Sequence, residues 1–329
     1  MGGDSARGRY YSSVMSGVVS RIKDAAVFAL DPDASAMCVN VFLSRPSSIL
    51  AALEFVRLQA PSVWIEYSNL AARDAFARMG NDNEWIEGGV MIEKTGLLLR
   101  ERNGLIEMEA VCQFRPADGD RVIELLTARC TFDPTPGRRL DPDDYREPHR
   151  IEHGATGATK RYYDLLARDP RERAAKDEIR ARFKGGLHPA YLGVAASMGR
   201  EFKDRLEQAL SGHVNDIFQM FTTQVLPSLI LVNCKNAVES EYVPAPARLN
   251  KARRAKGRPE IGPYHVIKLH LRPKARAKYD RQGYSGIEMR GGLVMGHFKV
   301  RKTGVFWWSP FYAARSGKQA TRAVRLVTP

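Results

Sequence analysis

Cysteines and long apolar runs are scarce in this sequence. Its four cysteines form no CxxC pair and no Cys/His spacing typical of a zinc site, so we expect reduced, mostly buried thiols at Cys38, Cys112, Cys130 and Cys234. The most apolar stretch, Val225 to Cys234, is about half of the roughly 20 residues that cross a bilayer, and it contains Pro227. No secretion signal is visible. These absences predict a soluble cytoplasmic protein with no membrane partner.

Motifs of known enzyme classes are missing as well. The sequence has no GxSxG, HExxH, Walker loop or GxGxxG after a predicted strand. His149 and His153 are four residues apart, but the flanking proline and glycine disfavour the helix that would bring them together. His265 and His270 are five apart on a predicted strand and should point to opposite faces. We therefore expect no metal and no cofactor, and the sequence alone assigns no reaction.

Acidic residues are rare in the last quarter of the chain. The 329 residues contain 51 Lys and Arg against 37 Asp and Glu, a net charge of +14. Residues 248–329 hold 20 of these bases and three acids, a balance of +17, whereas residues 1–247 hold 31 bases and 34 acids, a balance of −3. Such asymmetry is typical of a segment that meets a polyanion, because neutralised phosphates release their condensed counterions. A partnerless basic surface and an acidic protein partner are the alternatives.

Hydrophobic patterning predicts an α+β fold. Residues 1–132 indicate a mixed α/β domain, with a helix from Ser47 to Gln59, a strand from Ser62 to Tyr67 and a helix from Leu70 to Met79. Three β-rich runs follow, at 89–99, 105–114 and 121–132, and they are separated by turns at Asn103-Gly104 and Asp118-Gly119. This region should contain an antiparallel meander.

The rest of the chain divides into three further segments. Residues 133–158, rich in Pro and Gly, predict a linker or long loop, and 159–243 predict a helical region. Apolar residues from Val214 to Val232 recur every three or four positions and should face the core, with Pro227 kinking or dividing the helix. Residues 244–329 predict a small basic β-rich region, with strands at 264–271, 293–300 and 305–309.

The basic region begins with a dense run of cations. Six of them fall within eleven residues with no acid among them: Arg248, Lys251, Arg253, Arg254, Lys256 and Arg258. A helix from Leu249 to Ala255, ended by Gly257-Arg258-Pro259, would spread them around its circumference. This arrangement suits phosphate binding, and no helix-turn-helix, zinc-finger or RNP pattern indicates sequence reading.

A second cluster near the C-terminus combines cations with aromatic residues. If 305–309 is a strand, Trp307 and Trp308 face opposite sides, so that one side packs inward and the other can stack a base. The cations that would hold phosphate are Lys299, Arg301 and Lys302, together with Arg315 further on. The alternative is that both tryptophans fill a small β-core. His297 is a candidate general acid–base in metal-free RNA cleavage.

Several of these elements resemble an uncharacterised family carried by phages, prophages and plasmids. The similarity lies in the order of four motifs: 232–238 (VNCKNAV), 249–259 (LNKARRAKGRP), 264–267 (YHVI), and a GHFK ending at 296–299 that continues to FWWSP at 306–310. It covers roughly residues 225–317. The sequence departs from the family pattern after Pro310, where no histidine follows. The resemblance implies a mobile genetic element and gives no mechanism.

These observations together predict a phage or prophage protein that binds DNA or RNA non-specifically through its basic C-terminal region, in the bacterial cytoplasm. Two alternatives stay open. One is a nucleic-acid-processing enzyme that uses His297, and the other is a virion or assembly protein whose basic end neutralises the packaged genome.

Overall fold

A large mixed β-sheet organises the protein. The computed structural model describes residues 15–78, 90–116, 120–140, 164–191, 200–258, 260–269, 291–294, 296–308 and 311–314. Eight strands form the sheet: β1 (Ala26–Leu30), β2 (Ser62–Ser68), β3 (Val90–Arg102), β4 (Leu105–Pro116), β5 (Val122–Phe132), β6 (Phe183–Leu187), β7 (Val238–Val243) and β8 (Tyr264–Leu269). Their order across the sheet is β6-β5-β4-β3-β2-β1-β8-β7.

The sheet is parallel only around β1, which pairs with β2 on one side and β8 on the other. From β2 to β6 each strand is antiparallel to the next, which confirms the predicted meander. The turn between β3 and β4 has positive φ at Asn103 (54°) and Gly104 (75°), as a two-residue turn of type I′ requires. Asp118-Gly119, a further predicted turn, lies outside the described residues.

Helices cover both faces of the sheet. They are α1 (15–23), α2 (Pro32–Ser44), α3 (Pro46–Ala51), α4 (Asn69–Arg78), α5 (164–168), α6 (Pro170–Ala181), α7 (189–191), α8 (Arg200–Met220), α9 (Leu226–Asn233) and α10 (Ala247–Ala255). The helix predicted from Ser47 to Gln59 is shorter than expected, because α3 ends at Ala51 and a single 3-10 turn, Leu53–Phe55, follows it.

The apolar stripe in the middle of the chain faces the core, as predicted. Ile217, Phe218, Phe221, Val225 and Leu229 are all buried in the main hydrophobic cluster. The helix is divided by a π-helical turn at Phe221–Val225, directly before Pro227, which occupies the first turn of α9. Proline lacks the backbone N–H that a continuous α-helix would use at this point, so the predicted division is confirmed.

The main core lies between one face of the sheet and α2, α3, α8 and α9, while a smaller cluster around Val18, Leu125, Tyr191 and Leu206 covers the other face. Strands from three of the four segments expected from the sequence join the same sheet: β6 comes from the helical segment, and β8 comes from the basic one. The expected boundaries at 132 and 244 therefore do not separate one sheet from another.

Two short ladders complete the described strands. β9 (Gly291–Val294) pairs with β12 (Phe311–Ala314), and β10 (His297–Arg301) pairs with β11 (Gly304–Trp308), both antiparallel. The strand predicted at 293–300 is thus two strands, whereas the predicted pairing across residues 301–304 is confirmed. The helices and the mixed sheet together give an α+β fold. Within the described ranges, no helix combines the length and apolar character needed to cross a membrane.

Candidate nucleic-acid interface

A buried asparagine ties the basic helix α10 to the chain that precedes β8. Asn250 is the only residue of α10 that is buried, at 4% exposure. Its side-chain Nδ2 donates to the carbonyl of Ile261 at 2.8 Å, and its Oδ1 accepts the N–H of Ile261 at 2.8 Å. The amide thereby mimics a strand edge and fixes the helix against the chain that returns toward β8. The other positions of α10, which include its cations, are exposed or partly buried.

The C-terminal end of α10 follows the sequence prediction. Gly257 has a φ of +62°, and its N–H donates to the carbonyl of Arg254 at 3.0 Å. The N–H of Arg258 donates to the carbonyl of Arg253 at 2.8 Å. These two bonds form a Schellman motif, which ends the helix at a residue in the left-handed conformation that glycine adopts without strain.

The cations on and just after α10 differ in their ion pairing within the described residues. Arg254 forms an ion pair with Glu260 at 3.4 Å, in which both side chains are largely exposed. Arg248, Lys251, Lys256 and Arg258 are exposed and form no ion pair with any carboxylate in the part of the chain that the structure describes. Arg253 is partly buried. Four of the six cations therefore carry positive charge that no carboxylate of the described residues neutralises.

Basic residues earlier in the chain are arranged differently, as the cluster around Glu109 shows. This carboxylate on β4 is 2% exposed and contacts three guanidinium groups: Arg21 at 2.6 Å, Arg100 at 2.5 Å and Arg129 at 3.4 Å. His188 Nε2 lies 3.2 Å from the same carboxylate. Burial alone would raise the pKa of Glu109, but the contacts with His188 and Arg21 outweigh it and hold the pKa at about 2.

Two further buried carboxylates pair with arginines in the same way. Glu93, 3% exposed, contacts Arg115 and also accepts a bond from Arg121 Nε at 2.7 Å. Asp133 is fully buried and lies 3.4 Å from Arg138 Nε. In these clusters each arginine already has an anionic partner within the protein. Their charge stabilises the fold and is much less available to an external anion than the charge of α10.

The second basic element is the β10–β11 hairpin, whose two faces differ sharply. Residues opposite one another in the ladder share a face, so Phe298 lies beside Trp307 and Val300 beside Val305. Phe298, Val305 and Trp307 are 4%, 1% and 5% exposed and belong to the main core. This inner face packs against α3 and α9. Trp307 is thus withdrawn from the predicted binding surface, because its ring is enclosed in the core.

The outer face of the hairpin carries Trp308 among cations. Trp308 is 37% exposed, and Lys299 Nζ lies 4.1 Å from the centroid of its ring. Arg301 Cζ lies 6.0 Å from the same ring, and the His297 ring centroid is 6.1 Å away. Lys302 is exposed in the turn. The structure therefore brings together Lys299, Arg301, Lys302 and Trp308 as predicted partners, while Arg315 lies outside the described residues.

The hairpin is held by the segment that follows α9. Asn236 Oδ1 accepts the backbone N–H of Trp307 at 2.9 Å, and its Nδ2 donates to the carbonyl of Trp307 at 3.0 Å. The N–H of Lys235 donates to the carbonyl of Val305 at 3.3 Å. Asn236 thus repeats the bidentate arrangement of Asn250. Neither asparagine was singled out as a site residue from the sequence, although both belong to the motifs that carry the family resemblance.

The two basic elements are connected through the edge strand β7. The hairpin is attached at Lys235 and Asn236, just before β7, and α10 begins four residues after β7 ends. Six extended residues span about 20 Å.

Three of the described histidines form hydrogen bonds within the fold. His188 Nδ1 accepts the N–H of Ala190, and His213 Nδ1 accepts the N–H of Thr127, both at 3.1 Å. His265 Nδ1 lies 3.1 Å from the hydroxyl of Ser240. His149, His153 and His270 lie outside the described residues. Among the described side chains, no group of three His, Cys, Asp or Glu is placed to hold a metal ion.

All four cysteines are free and buried, which confirms the prediction for them. Burial raises the pKa of Cys112 and of Cys234 to about 12, and it raises the pKa of Cys38 and Cys130 further. Thiols of this kind are poor nucleophiles at neutral pH, so none of them is a candidate catalytic residue.

No protein-family model matches this chain, and neither a search of curated proteins nor a search of solved structures found a similar protein. The resemblance to a family carried by phages and plasmids therefore stays a prediction.

Proposed function

We propose that this chain binds nucleic acid without sequence specificity, through a basic surface formed by α10 and the outer face of the β10–β11 hairpin. The observation that carries the proposal is the contrast in ion pairing. Several arginines of the sheet contact buried carboxylates such as Glu109 and Glu93, whereas four cations clustered within eleven residues, Arg248, Lys251, Lys256 and Arg258, form no ion pair within the described ranges. Unpaired, exposed cations gain most from neutralising phosphates.

The form of α10 supports backbone binding more than base reading. Its cations lie on several sides of the helix. They are exposed or partly exposed, since Asn250 is the only buried position of α10. Lysine and arginine on a solvated helix reach phosphates in many orientations, and phosphate contacts carry no sequence information by themselves. Affinity should therefore depend on the length and charge of the nucleic acid, and very little on its sequence.

A set of alanine substitutions tests which part of the surface is responsible. Lys251→Ala, Lys256→Ala and Arg258→Ala combined should weaken binding to two unrelated sequences equally, by about tenfold or more at moderate salt, since each lost phosphate contact removes counterion release. Fluorescence anisotropy with labelled oligonucleotides measures the two affinities. Unequal losses on the two sequences would overturn the claim that the surface does not read bases.

A matched control separates a local surface from a general charge effect. Lys94, Arg102 and Arg171 are exposed cations outside the proposed surface, and changing all three to alanine removes the same net charge. This control should bind almost as well as the wild-type protein. Equal weakening in both triple variants would show that net charge alone governs binding, and it would contradict the proposed surface.

His297 supports a second candidate, cleavage of the bound strand. It lies on the outer face with Lys299, beside Trp308, so that an imidazole and an ammonium would be close to any phosphate held there. Incubation with labelled RNA and DNA, with and without chelator, tests this activity. Cleavage that persists unchanged in His297→Ala would exclude His297 as the acid–base group.

A setting in a phage or prophage belongs to the same proposal and rests on the resemblance in residues 225–317. Detection of the protein in purified particles at high copy number would instead favour the virion role.

A further inference from the structure

We infer that the preferred ligand is single-stranded nucleic acid, with one unpaired base stacked on Trp308. The inference rests on the proposed function, because it adds a ligand class to the same basic surface. Four observations carry it: the exposure of Trp308, the cations around its ring, the anchoring of the hairpin, and the burial of the hairpin's inner face.

The exposure of Trp308 is notable because its neighbour is enclosed. Trp307 and Trp308 are consecutive, yet Trp307 is 5% exposed and Trp308 is 37% exposed. A large aromatic side chain left at the surface forgoes the free energy of burial unless a partner covers it. The outer face of the hairpin therefore presents part of an indole ring to solvent, beside Lys299, Arg301 and His297.

The surroundings of this ring suit a nucleotide. Lys299 Nζ lies 4.1 Å and Arg301 Cζ 6.0 Å from the ring centroid, and both side chains come from the neighbouring strand on the same face. The ammonium of Lys299 lies over one face of the ring, so a base would stack on the other face or displace this side chain. In an unpaired strand each base is flanked by phosphates, and an aromatic ring with cations over and beside it can contact base and backbone together. Arginine can also stack on a base itself, which extends the platform.

The platform is held in a fixed position. The two hydrogen bonds from Asn236 to the backbone of Trp307 and the bond from Lys235 to Val305 tie β11 to the end of α9. The packing of Phe298 and Val305 in the core ties the hairpin to the rest of the fold. A preorganised aromatic ring loses little conformational entropy when a base stacks on it.

Duplex nucleic acid fits this platform poorly. Bases within a duplex are covered by their neighbours in the stack, so no base face is free to meet Trp308. A two-stranded β-ribbon can bind duplex DNA by entering the major groove, which is about 8.5 Å deep. The hairpin would have to leave the protein surface to insert to that depth. The inner face of this hairpin is packed against α3 and α9, which prevents such an insertion.

The experiment compares unpaired and paired ligands. Labelled single-stranded DNA and single-stranded RNA of about 20 nucleotides, longer than the 4 to 16 nucleotides typical of aromatic single-strand sites, are titrated beside a blunt duplex of the same length. Wild-type protein should bind both single strands more tightly than the duplex. Equal or tighter binding of the duplex at the same salt concentration would overturn the inference.

Trp308→Ala supplies the decisive variant, since it removes the ring and leaves the charge unchanged. Its affinity for the single strands should fall by about 5- to 150-fold, the range expected from the loss of one stacked base, while its affinity for the duplex stays the same. Trp308→Phe keeps a smaller ring and should lose less. Trp308 lies outside the main core, so we expect both variants to fold, which their thermal unfolding checks.

Tyr242→Ala is the matched control. Tyr242 is 57% exposed on β7 and lies outside the hairpin, so its loss should leave the preference for single strands intact. If wild-type binding depends on salt but Trp308→Ala binds single strands as tightly as wild type, the stacking inference is wrong and the proposed function stands. If no ligand binds in a salt-dependent manner, the proposed function itself is wrong.

Discussion

Arginine occurs in two settings in this chain, and the setting decides what each side chain can bind. Around Glu109, three arginines and a histidine surround one buried carboxylate. On and just after α10, Arg248, Lys251, Lys256 and Arg258 are exposed and form no ion pair with a described carboxylate. The sequence indicated the second setting from composition alone. It gave no sign of the first, because the partners of Glu109 come from positions as far apart as 21 and 188.

The Glu109 cluster gives a prediction with a defined pH dependence. The pKa of Glu109 in the folded protein is about 2, below its ordinary value of 4.5, so its stabilisation is present above about pH 4.5 and is lost as the pH falls toward 2. Glu109→Gln leaves the arginines without their counter-charge. It should lower the free energy of unfolding at pH 7 by about 3 kcal/mol, measured by urea denaturation.

The difference between wild type and Glu109→Gln should shrink as the pH is lowered through this range. Glu107→Gln is the control, because Glu107 is 22% exposed and its bond to Arg129, at 3.0 Å, is partly solvated. Glu107→Gln should lower the free energy of unfolding much less than Glu109→Gln does. A Glu109→Gln protein as stable as wild type at pH 7 would show that the cluster does not support the fold.

At the scale of secondary-structure elements, local patterns predicted the regular parts of the fold. The β3–β4 hairpin followed from Asn103-Gly104, and β10–β11 followed from strand-forming residues on both sides of a glycine-containing turn. α2 was missed because nine of its thirteen residues are buried, which removes the amphipathic period that identifies a surface helix. Asp31 before Pro32 was the available signal, since Asp31 Oδ1 accepts the N–H of Ala34.

β6 was missed for a different reason. Its sequence contains two adjacent glycines, which are disfavoured in strands. A Cβ at Gly185 would lie 2.5 Å from the side chain of Val214, so the strand needs glycine for the close approach of α8. Contacts of this kind depend on tertiary packing, which the local pattern does not contain.

The attachment of the β10–β11 hairpin supplies the prediction at this scale. Asn236→Ala removes two hydrogen bonds and leaves the backbone N–H and carbonyl of Trp307 without those partners. The variant should lose about 2 kcal/mol of stability, and the amide hydrogen of Trp307 should exchange faster. Urea denaturation and hydrogen-exchange NMR measure the two effects.

Asn233→Ala provides the comparison, because two hydrogen bonds of the Asn233 side chain go elsewhere: Nδ2 donates to the carbonyl of Leu229 in its own helix, and Oδ1 accepts from Gln59 Nε2 at 3.3 Å. It should leave exchange at Trp307 unchanged. Unchanged protection of Trp307 in Asn236→Ala would contradict the role assigned to this amide.

At the scale of the whole molecule, one sheet joins strands from most of the chain, while the excess positive charge is concentrated in its last quarter. The charge asymmetry could be predicted from the sequence. That strands from these segments join one sheet could not be predicted, because β8 pairs with β1 across more than two hundred residues of sequence. This connection matters for function, since it fixes α10 and the hairpin at the two ends of β7.

The most direct test of the account is the salt dependence of binding. The logarithm of the association constant for duplex DNA should fall linearly with the logarithm of salt concentration, with a slope of about 0.9 for each neutralised phosphate, or about 0.7 on a single strand. For each cation removed from α10, the magnitude of the slope should decrease by about 0.9 on duplex DNA or about 0.7 on a single strand. An affinity that does not change with salt would contradict the account.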